Sequence, residues 1–257
     1  MRFGVGILRI GDQGLKVDHG FDGKHDEAEE TENSTEKSPK TTSNLKRKSL
    51  VPNQINDALK FFSPEGKTGK RKIDVWWLFD DGGLVILVAH LLKQHKPFKN
   101  AEIRVFTGGK ESRLNEEERK LIQLLQKFRI EVTEVKVLPE LNKSPKESDR
   151  EAMRKKIAKY RLKDNDDEEI LNKNTEGKIT DHEWDTLREK TLRQVKINEL
   201  IRKYSSKSDL TVVSCPIGRE GISPWLYMLW LDELSKDLKQ PILMLRGNQE
   251  NAITFYS

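Results

Sequence analysis

Three short stretches hold residues whose types and spacing suit chemistry. The first is Asp80-Asp81-Gly82-Gly83, directly after the apolar run VWWLF. Carboxylates at a strand end can bind a metal or move protons, and open α/β sheets bind their ligands at that carboxyl edge. The same residues also make a turn into a helix. One aspartate caps the helix, the other favours the positive end of its dipole, and the glycines allow the tight bend. No histidine or third acid stands at a metal-ligand spacing, so the turn-and-cap reading of Asp80, Asp81, Gly82 and Gly83 is preferred.

The second stretch, Gly108-Gly109-Lys110, follows a strand as a phosphate loop would. A phosphate loop needs G-x-x-x-x-G-K-[ST]. Here Glu111 follows the lysine and the upstream glycine is absent, while Gly4, Gly6 and Gly11 do not make G-x-G-x-x-G either. The third stretch is Ser214-Cys215-Pro216-Ile217-Gly218-Arg219. A nucleophile there needs a base within hydrogen-bond reach. His19, His25, His90, His95 and His182 fall in a linker, one helix and a helix start, none with an acidic partner in a triad-like order. Cys215 therefore reads as a small buried side chain. The sequence assigns no catalytic residue, no metal ligand and no cofactor-binding residue, and the chain is expected to be neither an enzyme nor a cofactor protein.

The elements that must position these loops follow from periodicity. IDVWWLF, AEIRVFT, EVTEVKVL, DLTVVSCP and PILMLR read as buried strands. GLVILVAHLLKQH, LNEEERKLIQLLQKF, the stretch 180–204 and SPWLYMLWLDELSKDL read as helices. Alternating strands and helices predict an α/β fold: a parallel sheet, right-handed crossovers, helices on both faces. Thr180-Asp181-His182-Glu183 has the capping-box pattern, with Thr180 as cap and Glu183 reaching back. Pro224 suits a first helical turn. A charged insertion at about 139–180 interrupts the order, with a helix near 143–159 inside it. NAITFYS alternates like an edge strand. The neighbouring Trp76 and Trp77 are expected on opposite faces of their strand.

The chain has 257 residues, of which 35% are hydrophobic and 35% charged. Typical domains hold roughly 45–50% apolar and about 25% charged residues. The apolar residues must therefore be concentrated in part of the chain. The domain reading is residues 1–19 as a remnant last strand (FGVGILRI) of a preceding lobe, 20–72 as a disordered linker, and 73–257 as the α/β lobe. The linker is too polar to offset the entropy of ordering it. It carries Ser38, before a proline, and Ser49, after LKRK, as candidate phosphorylation sites. Net charge is +5 against 89 charged side chains (47 basic plus 42 acidic), too thin an excess for a nucleic-acid partner, and none is expected. The single cysteine excludes an intrachain disulfide. The longest apolar run, 84–92, contains His90 and is far shorter than the ~20 residues a membrane helix needs. Trp225, Trp230, Phe255 and Tyr256 are candidate interface residues, since aromatic side chains are enriched at interfaces.

The long motifs together are more specific than any of these sites. IDVWWLFDDGGL, EIRVFTGGK, LLQKFRIEVTEVKVLPELN, LRQVKINEL, PIGREG, LYMLWLDELSKDL and PILMLRGNQENAITFYS resemble the carboxyl-terminal cytosolic domain of the cation-chloride cotransporters of solute carrier family 12. The resemblance is to the sodium-dependent, Na-K-Cl and Na-Cl, branch. It implies a parent with a twelve-helix membrane domain moving sodium, potassium and chloride, and a tail of two lobes similar to universal stress proteins that dimerises and modulates transport. It implies that this chain is a fragment lacking the transport sites. The expected partners are a second copy, the parent's transmembrane domain and regulatory kinases, on the cytoplasmic side of the plasma membrane. The stress-protein-like topology also leaves a nucleotide-binding module as an alternative, with the loops after Phe79, Thr107 and Ser214 as its site.

Overall fold

The computed structural model describes residues 4–10, 70–78, 83–161, 178–218 and 221–247. They form one six-stranded sheet with helices on both faces. In chain order the elements are β1 (Val5–Arg9), β2 (Lys72–Trp77), α1 (Leu84–Gln94), β3 (Glu102–Gly108), α2 (Leu114–Lys127), β4 (Glu134–Leu138), α3 (Glu147–Ala158), α4 (Asp181–Tyr204), β5 (Leu210–Ser214), α5 (Pro224–Ser235) and β6 (Ile242–Arg246). The strand order is β1-β6-β5-β2-β3-β4. The last five are mutually parallel, as the strand–helix alternation predicts.

The sequence reading set FGVGILRI apart as part of another lobe. In the structure β1 pairs antiparallel with β6, Ile7 opposite Met244, and so extends this sheet. Periodicity within one segment shows that it is a strand. It carries no information about a partner more than 200 positions away.

Side-chain alternation divides the core. Ile73, Val75, Ile103, Val105, Leu210 and Val212 pack under α1 and α2 on one face. Trp76, Phe106, Val213, Ile242 and Met244 pack under α4 and α5 on the other. Trp76 and Trp77 go to opposite faces, as neighbouring strand residues must. Trp76 is wholly buried and stacks on Phe106 at 4.8 Å between ring centroids and 14° between planes. Its Nε1–H donates to Ser205 Oγ at 2.9 Å, so the one polar atom of the indole is satisfied.

Helix starts follow local chemistry. Thr180 Oγ1 accepts the Glu183 backbone N–H at 3.1 Å, and Ser223 Oγ accepts that of Leu226 at 3.3 Å with Pro224 in the first turn. At the start of α1 the N-cap residue is Gly83, at φ 81° and ψ 13°. Glycine reaches that left-handed geometry without strain. Asp80, Asp81 and Gly82 lie outside the described residues, as do the linker with Ser38 and Ser49, and Phe255 and Tyr256 in the NAITFYS segment. Within the charged insertion, α3 buries Met153 and Ile157 against α4 and α5, building a third cluster with Ile179, Leu187, Leu226 and Trp230.

Candidate functional site

The carboxyl edge of the parallel strands is where an α/β sheet would hold a ligand. The loop after β3 is filled by the protein's own groups. The Lys110 backbone N–H, the donor a phosphate would need, donates to Glu117 Oε2 at 3.3 Å. A Cβ at Gly109 would overlap the Glu117 carboxylate and the Val137 side chain, so glycine is required for close packing. Asn142 Nδ2 donates to the Gly109 carbonyl at 3.0 Å and closes the loop further. An acidic side chain occupying this position repels an anion.

The loop after β5 is equally unreactive. Cys215 is buried, and burial pushes its thiol up to about 11, against a weak opposing pull from Arg246. A thiol protonated at neutral pH is not a nucleophile. Beside it, Tyr227 Oη and Arg246 Nη1 both donate to the Pro216 carbonyl at 3.2 Å, which ties this loop to α5 and β6. Among the described residues no group of three His, Cys, Asp or Glu side chains is placed to hold a metal ion.

A depression of about 630 Å³ lies between the starts of α4 and α5, with Lys178, His182, Lys190, Ile222 and Pro224 in its lining. Two helix N-termini meet there, and the side chains of Thr180 and Ser223 take one backbone donor of each. Besides the two caps, Glu183 Oε1 accepts the Ser223 backbone N–H at 2.6 Å. The capping-box expectation is corrected on this point: Glu183 reaches across to the next helix start. Sequence spacing identified the acid but not its tertiary partner.

The two candidate interface tryptophans separate. Five positions on a helix turn a side chain by about 140°. Trp230 is 2% exposed and its Nε1–H donates to Thr191 Oγ1 at 2.9 Å. It is a core residue within this chain, which corrects its assignment to a surface. Trp225 is half-buried and stacks on Tyr160, centroids 5.0 Å apart.

Two ionic arrangements had no local signal beyond a charge in an apolar strand. Asp74, wholly buried between Ile73 and Val75, is bound by Arg104, its register partner on β3. On the other flank Arg9 of β1 donates to Asp232 Oδ1 at 3.0 Å and to Ser235 Oγ at 2.6 Å. Lys156 of α3 donates to Asp232 Oδ2 and Glu233 Oε2, both at 3.0 Å. Asp232 thus joins β1, α3 and α5. Burial by itself would raise its carboxyl, but the hydrogen bonds and charges of Lys156 and Arg9 outweigh that and hold it below the usual carboxylate range.

Among the described residues the loop after β3 is thus closed from within. The family model for solute carrier family 12 matches residues 11–257. The human protein solute carrier family 12 member 2 is 45% identical over 196 residues, 74% of this chain and 16% of that protein. Human member 3 is 43% identical over 197 residues, covering 75% of this chain and 19% of the relative. Rat member 1 is 40% identical over 233 residues, 88% of this chain and 21% of the relative. The chain thus spans about a fifth or less of the length of these relatives. No helix among the described residues is long and apolar enough to cross a membrane. The chain belongs to solute carrier family 12, the cation-chloride cotransporters.

Proposed function

We propose that this chain is a regulatory and dimerisation domain of a sodium-dependent cation-chloride cotransporter, acting on the cytoplasmic side of the plasma membrane. The observation that carries the reading is the combination of strong identity with small coverage: 40–45% identity confined to 16–21% of the relatives' length. The matched part folds as an α/β lobe with no membrane-spanning helix among the described residues. Sodium, potassium and chloride would cross the membrane through other parts of the parent. This lobe would act through contacts with a second copy and with the transmembrane domain. Ser38 and Ser49 are the proposed positions at which kinases add charge beside LKRK.

The test is a segment exchange. A full-length member 2 relative has its matching segment deleted, or replaced by residues 70–257 of this chain. Ion uptake and oligomeric state are then measured in cells. The expected result is impaired assembly or regulation on deletion and restoration on replacement. Unchanged uptake and assembly in the deletion variant would sink the proposal, as would ion flux through vesicles containing this chain alone.

The nucleotide-binding alternative has the Glu117-filled glycine loop against it. A thermal shift or calorimetric heat with ATP at millimolar concentration would revive it.

A further inference from the structure

Net charge is only +5 over the chain, but it is unevenly placed. Five strands run parallel, so their amino-terminal ends share one edge of the sheet, where α1, α2, α4 and α5 end. Each of these helix ends or the loop after it brings a cation there. Lys96 and Lys99 precede β3, Lys127 and Arg129 precede β4, Lys207 precedes β5 and Lys239 precedes β6. All six are exposed, and none is ion-paired among the described residues. The acids of the same connections are engaged. Glu131 Oε2 accepts from Lys93 at 3.4 Å, and Asp237 lies 3.8 Å from Lys236. Asp209 is buried and accepts the Lys72 backbone N–H at 2.8 Å.

Local chemistry explains little of this pattern. A helix dipole favours cations only within its last turn, which accounts for Lys127 and leaves the loop positions. Arg129 stands directly after the α2 cap at φ 55°, a left-handed position that glycine takes without strain and arginine does not. The opposite edge is mixed in sign: after β3, Lys110 and Arg113 stand with Glu111 and Glu117. Across five strands at ~4.8 Å spacing, the six cations spread over roughly 20 Å. A broad array of exposed cations matches a surface presenting many anions at once better than a single small anion.

We propose that the amino-terminal edge of the sheet docks on the anionic phospholipid headgroups of a bilayer. The inference rests on the reading of the chain as a cytoplasmic domain of a membrane transporter, and names the surface that this domain turns toward the lipid. The cytoplasmic leaflet is anionic, and each lysine or arginine held near it adds attraction that fades within a Debye length. Six such cations at one edge, with the neighbouring acids already engaged, also orient the lobe. The amino-terminal edge faces the lipid, and the carboxyl edge, with the Gly109 loop closed by Glu117 and Asn142, faces away. The contact is made by charge alone, so it is reversible and weakened by salt.

The test is co-sedimentation of the whole chain with vesicles. The chain should bind vesicles of about two parts phosphatidylcholine to one part phosphatidylserine at low salt, come off as salt rises, and ignore phosphatidylcholine alone. Lys96→Gln with Lys99→Gln should weaken binding at least about tenfold, at roughly fivefold per charge. The melting temperature should not move, because both side chains are exposed. Lys110→Gln with Arg113→Gln removes the same charge from the other edge and should leave binding nearly unchanged. Equal weakening by the two double variants would mean that net charge is read rather than this edge, and overturns the proposal. Binding to phosphatidylcholine alone as tight as to the mixture overturns it as well. Capture of a separate peptide of residues 26–36, DEAEETENSTE, through Lys96 and Lys99 with no vesicle binding would assign the edge to an acidic protein segment, which also overturns it. Absence of binding to either vesicle overturns the lipid contact alone. The regulatory reading then stands or falls separately, by uptake and assembly in the segment exchange.

Discussion

The Arg104 guanidinium holds the Asp74 carboxylate through two hydrogen bonds, Nε to Oδ1 at 2.8 Å and Nη2 to Oδ2 at 2.6 Å. The two residues are register partners on adjacent parallel strands, and Arg104 also donates to the Tyr204 carbonyl at the end of α4. Removing one partner leaves the other charged and buried, which costs about 3–5 kcal/mol. Arg104→Ala should therefore destabilise the chain by about that amount in urea titration. Replacing both residues by leucine should cost much less. Equal losses in the single and double variants would show that the pair is not the source of the effect.

The Arg9–Asp232 contact anchors β1. Asp232→Asn should speed amide hydrogen exchange in Val5–Arg9 while β2 and β5 keep their protection. The pH dependence follows from sign. The folded-state pKa of Asp232 lies below its unfolded value, so the contribution is present above the unfolded pKa. It is lost as pH falls through the folded value, in the acidic range below ordinary aspartate titration. Because the side chain is nearly half exposed, at 46%, solvent screening keeps the effect small. An exchange rate in β1 that is indifferent to both the substitution and acid would contradict the anchoring role.

Cys215 should resist alkylation by iodoacetamide at neutral pH in the folded chain and react readily after unfolding in denaturant. The reason is burial, which raises the thiol to about 11 and blocks access. Rapid labelling of the native chain, followed by mass spectrometry, would be the contrary result.

Gly109→Ala should destabilise the chain by about 1–3 kcal/mol, the usual range for overpacking a filled site. The new methyl group meets Glu117 and Val137. Adding Glu117→Gly to the variant should recover part of the loss, since it removes one of the two obstructing side chains. Thermal unfolding of the two variants decides the point.

How much of this was legible beforehand depended on the range of each interaction. Opposite faces for Trp76 and Trp77, a threonine cap at 180 and Pro224 in a first turn are consequences of positions at most a few residues apart. The sequence reading found them all. The partner of β1, the Arg104 beneath Asp74 and the Glu117 carboxylate in the Gly109 loop were not legible. Each joins segments whose approach depends on strand order and register. Asp74 stood in plain view inside an apolar run, and a buried charge of that kind signals a partner without saying where it is.

By itself, the sequence determined the class of fold, the succession of strands and helices along the chain and the family, because periodicity, caps and long ordered motifs are local or cumulative signals. Only the tertiary structure decided that β1 extends this sheet, that Trp230 belongs to the core, and that Glu183 bridges two helix starts. Those outcomes depend on which backbone groups and side chains meet across about 40 residues, for Trp230 and Glu183, or more than 200, for β1. That meeting is settled by how two faces of one sheet are covered at once.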